Sequence, residues 1–450
     1  MKKLKFVDLF AGLGGFHVGL SKLGHECIYA CEIDKRLNEY YAKNFTLNKE
    51  YIWDDVKTVP NQHIKYLKEN ADMICAGFPC QPFSKAGTQS GFNHLIAGDM
   101  FQALFDVINK TKPEFIFLEN VPNLLSHDQG NTYNLMKLKL TKIGYNIKET
   151  ILSPLDFNYP QTRKRLYIFG IYKKKNSKND LFKFPEPIRS YQDYKSKTGT
   201  FILKNKTVKY LETHKAEKID MYQDLLSMLK NKIGSKLTSN TIINPLWVME
   251  FGANYPFEKK LNFNKNLNNF IGTIGSFGKK IKVQDGNFIN LPQYAYTRKE
   301  FPNWKKNFIK KNREFMDLHK DVFSKWIKKY GVDKMAPSYQ KFEWNAHGEI
   351  LNFKNKLISF RPSGIRVKRI SSAPTLITQT TTQTPIIVTN SNSLKKKYRY
   401  ISYKEALRLQ GFSQKDLKYI NKFRSYFYPA IGNAVNIHVV MKIAKNINLT

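Results

Sequence analysis

The amino-acid sequence predicts an α/β protein built on a doubly wound, mostly parallel sheet, with a second, smaller domain set into the chain. Three observations point there. Over the first 170 residues, short β-branched or aromatic runs alternate with helical patterns, as in a parallel sheet covered on both faces. The first of these runs ends in a glycine-rich turn that opens a helix. Beyond residue 172 the alternation stops and the composition changes.

Strands are expected at 5–10, 27–31, 73–76, 115–118 and 166–169, and helices at 15–23, 35–44, 99–110 and 132–143. A sheet of this kind places ligands beyond the carboxyl ends of its strands. A Lys, Asn and Ser cluster at 173–180 marks the break. From 173 to 370 there are 41 Lys and Arg against 17 Asp and Glu, a surplus of 24 within the chain's +38. The same stretch is studded with aromatics, among them Phe301, Trp304, Trp326 and Trp344, most of which are expected in a core. Helical patterns return at 403–410 and 434–447. The boundaries read from this are 1–172, a second domain over 173–365, and 366–450 returning to the first.

A charge of +38 suits a polyanion better than a small neutral substrate. Part of the surplus is attributable to AT-rich coding, which inflates Lys and Asn, so charge nominates nucleic acid without choosing DNA or RNA. Four cysteines, Cys27, Cys31, Cys75 and Cys80, lack the paired short spacing of a zinc site, and neither disulfides nor a metal are expected. With no apolar run of about 18 residues, the reading is a cytoplasmic protein without a membrane span.

The first chemical signal is Asp8-Leu9-Phe10-Ala11-Gly12-Leu13-Gly14-Gly15-Phe16, a strand entering a glycine turn and then a helix. Such a turn brings backbone N–H groups close to a ligand. A dinucleotide fingerprint needs a further glycine where His17 stands, which weakens a nicotinamide reading. Glu32 ends the second strand, where a carboxylate accepts from two ribose hydroxyls, and Asp55 can hold an adenine amino group.

The second signal is Gly77-Phe78-Pro79-Cys80-Gln81-Pro82-Phe83-Ser84, directly after an apolar strand. Two prolines pin the backbone around one thiol, a frame that an inert core cysteine does not need. Glu119, in Phe117-Leu118-Glu119-Asn120-Val121-Pro122, ends another apolar strand one or two positions away in the sheet. Arg163 and Arg165, in Gln161-Thr162-Arg163-Lys164-Arg165, are expected to point the same way from a strand entrance. Residues 83–98, with Gly87, Gly91 and Gly98, have the length and polarity of a closing lid.

In this order the segments resemble the cytosine-5 DNA methyltransferase family of bacterial restriction-modification systems. The resemblance covers 4–171 and resumes at about 366–447, with Tyr403 to Phe412 and Gly432-Asn433-Ala434-Val435. It implies a Rossmann-like S-adenosylmethionine-dependent methyltransferase sheet and a target-recognition domain between the two blocks. It implies cofactor contacts from Phe10, Ala11, Gly12, Leu13, Gly14, Glu32, Ile33, Asp55, Val56, Gly77, Pro79, Asn433, Ala434 and Val435. Cys80 is the implied nucleophile, with Glu119, Arg163 and Arg165 around a flipped cytosine. The implied partners are double-stranded DNA and, by pairing of function, a restriction endonuclease; a monomer is expected. Two departures stand out: Ala97 takes the place of a customary arginine before Gly98, and Thr380 to Thr382 stand where glycines are usual. The alternatives are the same chemistry on tRNA, or a catalytically silent DNA-binding regulator.

Overall fold

The computed structural model describes residues 2–79, 95–173, 182–188, 201–203, 208–255, 257, 279–282, 288–291, 301–376, 384–419 and 427–447. The chain forms two compact units, Met1–Lys204 with Ser371–Gln379 and Ser402–Thr450, and Asn205–Ile370 with Thr380–Ile401. Cys80, the lid residues 83–94 and Thr380 to Thr382 lie outside the described residues.

Among the described residues, the first unit carries a seven-stranded sheet: β1 (Lys5–Leu9), β2 (Glu26–Cys31), β3 (Ile52–Trp53), β4 (Met73–Ala76), β5 (Phe115–Asn120), β6 (Tyr145–Leu152) and β8 (Arg165–Tyr172). Its order is β3-β2-β1-β4-β5-β8-β6. The first five are parallel, and β8 runs antiparallel between β5 and β6. The order reverses between β1 and β4, which places a crevice at their carboxyl ends. Because β8 is reversed, its first residue, Arg165, comes to the same rim as the last residues of β5: Glu119 pairs with Tyr167, and Asn120 with Leu166.

β4 and β5 are buried along their whole length, as strands covered on both faces must be. The period-2 alternation then sorts their side chains into two cores. Val7, Leu9, Ile74, Ala76, Ile116 and Leu118 pack under helices α3 (Asn61–Asn70), α4 (Leu95–Thr111) and α5 (Asn131–Lys142). Phe6, Met73, Cys75, Phe115, Phe117 and Phe169 pack under α1 (Gly15–Ser21) and the helix Ile437–Ala444. By that alternation Gly77 and Glu119 continue the second face, whereas Phe78 and Asn120 continue the first. The last four residues of the expected lid, 95–98, are instead the first turn of α4.

The second unit holds a six-stranded sheet in the order Tyr398–Tyr400, Ile386–Val388, Lys356–Arg361, Gly364–Arg369, Lys341–Asn345, Leu246–Trp247. Its pairings are antiparallel except that between Lys341–Asn345 and Gly364–Arg369. Trp326 and Trp344 are fully buried in its core, where their indole N–H groups donate to the carbonyls of Met221 and Ala346. Phe301 is buried as well, but Trp304 is 60% exposed, against the expectation of core.

The units divide the chain differently from the boundaries read in the sequence. Residues 380–401 belong with the second unit because Ile386 and Val388 pair with Tyr400 and Tyr398 at its sheet edge. Residues up to 204 belong with the first, where Phe182 stacks on Phe169 at 4.1 Å between ring centres. Among the described residues, no helix is long and apolar enough to cross a membrane.

Candidate active site

At the end of β1 the backbone turns through Phe10 and Gly12 with φ of 55° and 54°. Gly12 is required there by its positive φ, and a Cβ on it would meet nothing within 4 Å, so the turn borders open space. Its N–H donates to Glu32 Oε2 at 2.7 Å, and the N–H of Asp34 donates to Glu32 Oε1 at 2.9 Å. The two bonds orient a buried carboxylate whose oxygens each keep a second lone pair. Burial raises the Glu32 pKa, and these two N–H groups oppose the rise. Beside it Ile33 is 65% exposed, an apolar surface at the rim. Asp55 caps the short turn that follows, accepting from the N–H of Lys57, and Val56 is buried beneath. A carboxylate aimed beside an open glycine, with an exposed isoleucine next to it, fits the ribose and base of a nucleoside.

Two strands away, Glu119 is buried with Oε1 3.1 Å from Nε of Arg165. Burial raises its pKa, and the charges of Arg165 and Arg163 pull it down. Its other oxygen, Oε2, lies 3.8 Å from where a Cβ on Gly77 would stand, so Glu119 faces the start of the segment that carries Cys80. Asn120 extends the link: its Nδ2 donates to the carbonyl of Phe78 at 3.4 Å, and its Oδ1 accepts from the N–H of Val121. Pro79, the last residue described before Cys80, is exposed.

Arg163 and Arg165 do not share a strand. Arg163 lies between β7 (Gln161–Thr162) and β8, fully buried, and its guanidinium donates to the carbonyls of Gly432 at 2.7 Å and Ala434 at 3.0 Å. It thereby fastens the last sequence block to the site. The fit is close: a Cβ on Gly15 would stand 2.5 Å from the Val435 carbonyl oxygen, and one on Gly77 3.0 Å from Val435 Cγ2. Ala434 and Val435 are buried, while Asn433 is exposed. Gln410 and Asn436 complete the stitching by donating to the carbonyls of Ile431 and Leu409. Ala373–Pro374 pairs with β7.

Sequence reasoning missed three participants. Asn120 stood within a motif already singled out. Tyr167 pairs with Glu119, and its buried hydroxyl has no hydrogen-bond partner among the described residues. Asp8, a lone carboxylate in an apolar strand, accepts from Tyr41 Oη at 3.2 Å and from the His17 N–H at 3.3 Å. Burial pushes its pKa up to about 8 and that of His17 down to about 4.

A family model described as C-5 cytosine-specific DNA methylase matches residues 4–449. The chain is 38% identical over 212 residues to the Type II methyltransferase M.DsaV of Dactylococcopsis salina, covering 47% of this chain and 57% of that one. It is 39% identical over 186 residues to the Type II methyltransferase M.HhaI of Haemophilus parahaemolyticus, covering 41% and 53%. The matched stretch thus spans just over half the length of these relatives. The solved structure of the Entamoeba histolytica methyltransferase EhMeth aligns over 99% of this chain and 98% of that one, at 16% identity and a TM-score of 0.49.

Proposed function

Because the chain belongs to the C-5 cytosine-specific DNA methylase family, we propose that it methylates carbon 5 of a cytosine flipped out of duplex DNA, with Cys80 as nucleophile. The observation that carries this reading is Glu119, a buried carboxylate whose pKa is raised by burial although two arginines stand near, at the rim where the Cys80 segment begins.

Carbon 5 of cytosine is a poor nucleophile. Addition of the Cys80 thiolate to carbon 6 makes it enamine-like, dividing one hard step into easier ones. The addition drives electrons toward N3, where the Glu119 proton meets the developing charge. Arg165, beside Glu119, favours both that anion and the thiolate. S-adenosylmethionine, when bound, supplies a sulfonium methyl electrophilic enough for the activated carbon. The residues that would hold it are the Phe10 to Gly14 turn, Glu32 with Ile33, Asp55 with Val56, Gly77 with Pro79, and Asn433 to Val435. After loss of the carbon 5 proton the thiolate departs and the base is released. Unstacking the cytosine costs a few kcal/mol, which phosphate contacts from the basic second unit offset. We assign target recognition to that unit. The Type II naming of the relatives supports placing the chain as the modification member of a restriction-modification pair.

The test uses a duplex bearing 5-fluorocytosine at the target cytosine, itself located by methylome sequencing of a host expressing the chain. Fluorine cannot leave carbon 5 as a proton does, so wild type with S-adenosylmethionine forms an adduct that survives denaturation. Cys80→Ser binds the duplex but forms neither adduct nor product. Active enzyme without an adduct overturns attack at carbon 6. Labelling of tRNA in place of DNA overturns the substrate, and no labelling of either supports a silent regulator.

A further inference from the structure

The six-stranded sheet of the second unit has one apolar face and one basic face. Phe342, Trp344, Ile358, Ile365 and Val367 enter the core. Alternation turns Lys341, Glu343, Arg361, Arg366 and Lys368 to the opposite side, where cross-strand register sets Glu343 against Arg366. All five are half-buried. Glu343 Oε2 accepts from Arg366 Nε and from Asn345. Lys341, Arg361 and Lys368 have no hydrogen-bonding acceptor among the described residues, and Arg361 Nε is buried without one.

That arrangement is costly in the isolated chain. Buried donors without acceptors forfeit the hydrogen bonds they made with water. Burial and the charges of Arg366 and Arg361 hold Lys368 below the ordinary lysine range, and burial and Arg366 do the same to Arg361. Arg361, Arg366 and Lys368 repel one another, Lys341 is held low by burial, and cations in that setting are relieved by a ligand with several anionic oxygens. We propose that Lys341, Arg361 and Lys368 on this sheet face bind phosphodiester oxygens of the DNA, positioning the duplex without reading its bases. This rests on the assignment of target recognition to the second unit.

The experiment measures binding of the full chain to target and non-target duplexes at two salt concentrations. The variants are Lys341→Gln, Arg361→Gln and Lys368→Gln, with Lys325→Gln/Lys328→Gln, exposed on the helix Lys320–Tyr330, as comparator. Each sheet-face substitution is expected to weaken both duplexes about threefold or more and to make the log-log salt slope shallower by about 0.9. Because neutralising one half-buried cation relieves its desolvation, the melting temperature stays level or rises; a fall in melting temperature that accounts for the lost binding overturns the proposal in favour of packing. Loss on the target alone overturns it in favour of base reading. If only the comparator weakens binding, the unit holds DNA elsewhere and this face does not. If no substitution changes affinity, slope or preference, the recognition assignment itself falls with it.

Discussion

Two ends of one sheet rim carry the same residue type to different effect. Glu32, after β2, has each carboxylate oxygen engaged by a backbone N–H, a setting that fixes both acceptors in place. Glu119, at the end of β5, has no such pair; it faces Arg165 and Gly77 from full burial. Burial raises both pKa values, but what opposes the rise differs: peptide N–H groups at Glu32, guanidinium charges at Glu119. The proposed function uses the first end to bind the cofactor and the second to act on the base. The residue name alone carries none of this; the neighbouring strand does.

The largest effect that tests the contrast is at Glu119. Glu119→Gln should lower kcat about 100- to 10,000-fold, the range of a lost general acid, with KM for S-adenosylmethionine unchanged. A shift confined to KM would merge the two ends into one binding surface. Next comes Arg163→Met, which removes two charge-assisted bonds to Gly432 and Ala434 and should destabilise the protein by about 3 kcal/mol. Thermal melting together with kcat decides its role: a lower melting temperature with kcat kept marks a positioning residue, and lost kcat at unchanged melting temperature returns Arg163 to the cytosine. At the other end, Glu32→Ala should raise KM for S-adenosylmethionine about tenfold with kcat kept at saturation, since ribose contacts act equally in ground and transition states. A fall in kcat alone removes it from the cofactor.

The smallest effect lies beneath the β1–β2 end, where Asp8 and His17 adjoin. Folded Asp8 holds its proton up to about pH 8 against an ordinary 3.8, so its contribution to stability is complete below 3.8 and lost as pH rises toward 8. His17 acts in the opposite sense, its contribution being lost as pH falls from 6.5 to about 4. The two partly cancel in the acid range, which leaves a window between pH 6.5 and 8 where, of the two, Asp8 alone titrates. Melting temperature should fall across that window in wild type, and Asp8→Asn should flatten the fall.

The rim was legible because its requirements are local. A positive φ at Gly12, prolines beside a thiol and carboxylates closing apolar runs all leave marks on single residues. β6 was missed because an edge strand is half solvated: Lys148 and Glu149 interrupt its apolar pattern. Arg163 and Arg165 do not share the strand expected of them because its entrance is split into β7 and β8, a break no side chain announces. The second unit was legible as charge but not as architecture, since Ile386–Val388 and Tyr398–Tyr400 are three residues each and gain their strand character from pairing.

The contact of Val435 with Gly15 and Gly77 bears on when the protein becomes competent during its own synthesis. A ribosome delivers the glycine turn, the proline-framed thiol and Glu119 long before it delivers the residues that wall them in. Until Gly432 to Val435 emerge, Arg163 has no carbonyls to clasp and the two glycines face a gap. A nascent chain stalled anywhere in the second unit therefore carries the glycine turn, the proline-framed thiol and Glu119 beside an unfinished pocket, so under the proposed function methyl transfer waits until the second unit has also been made.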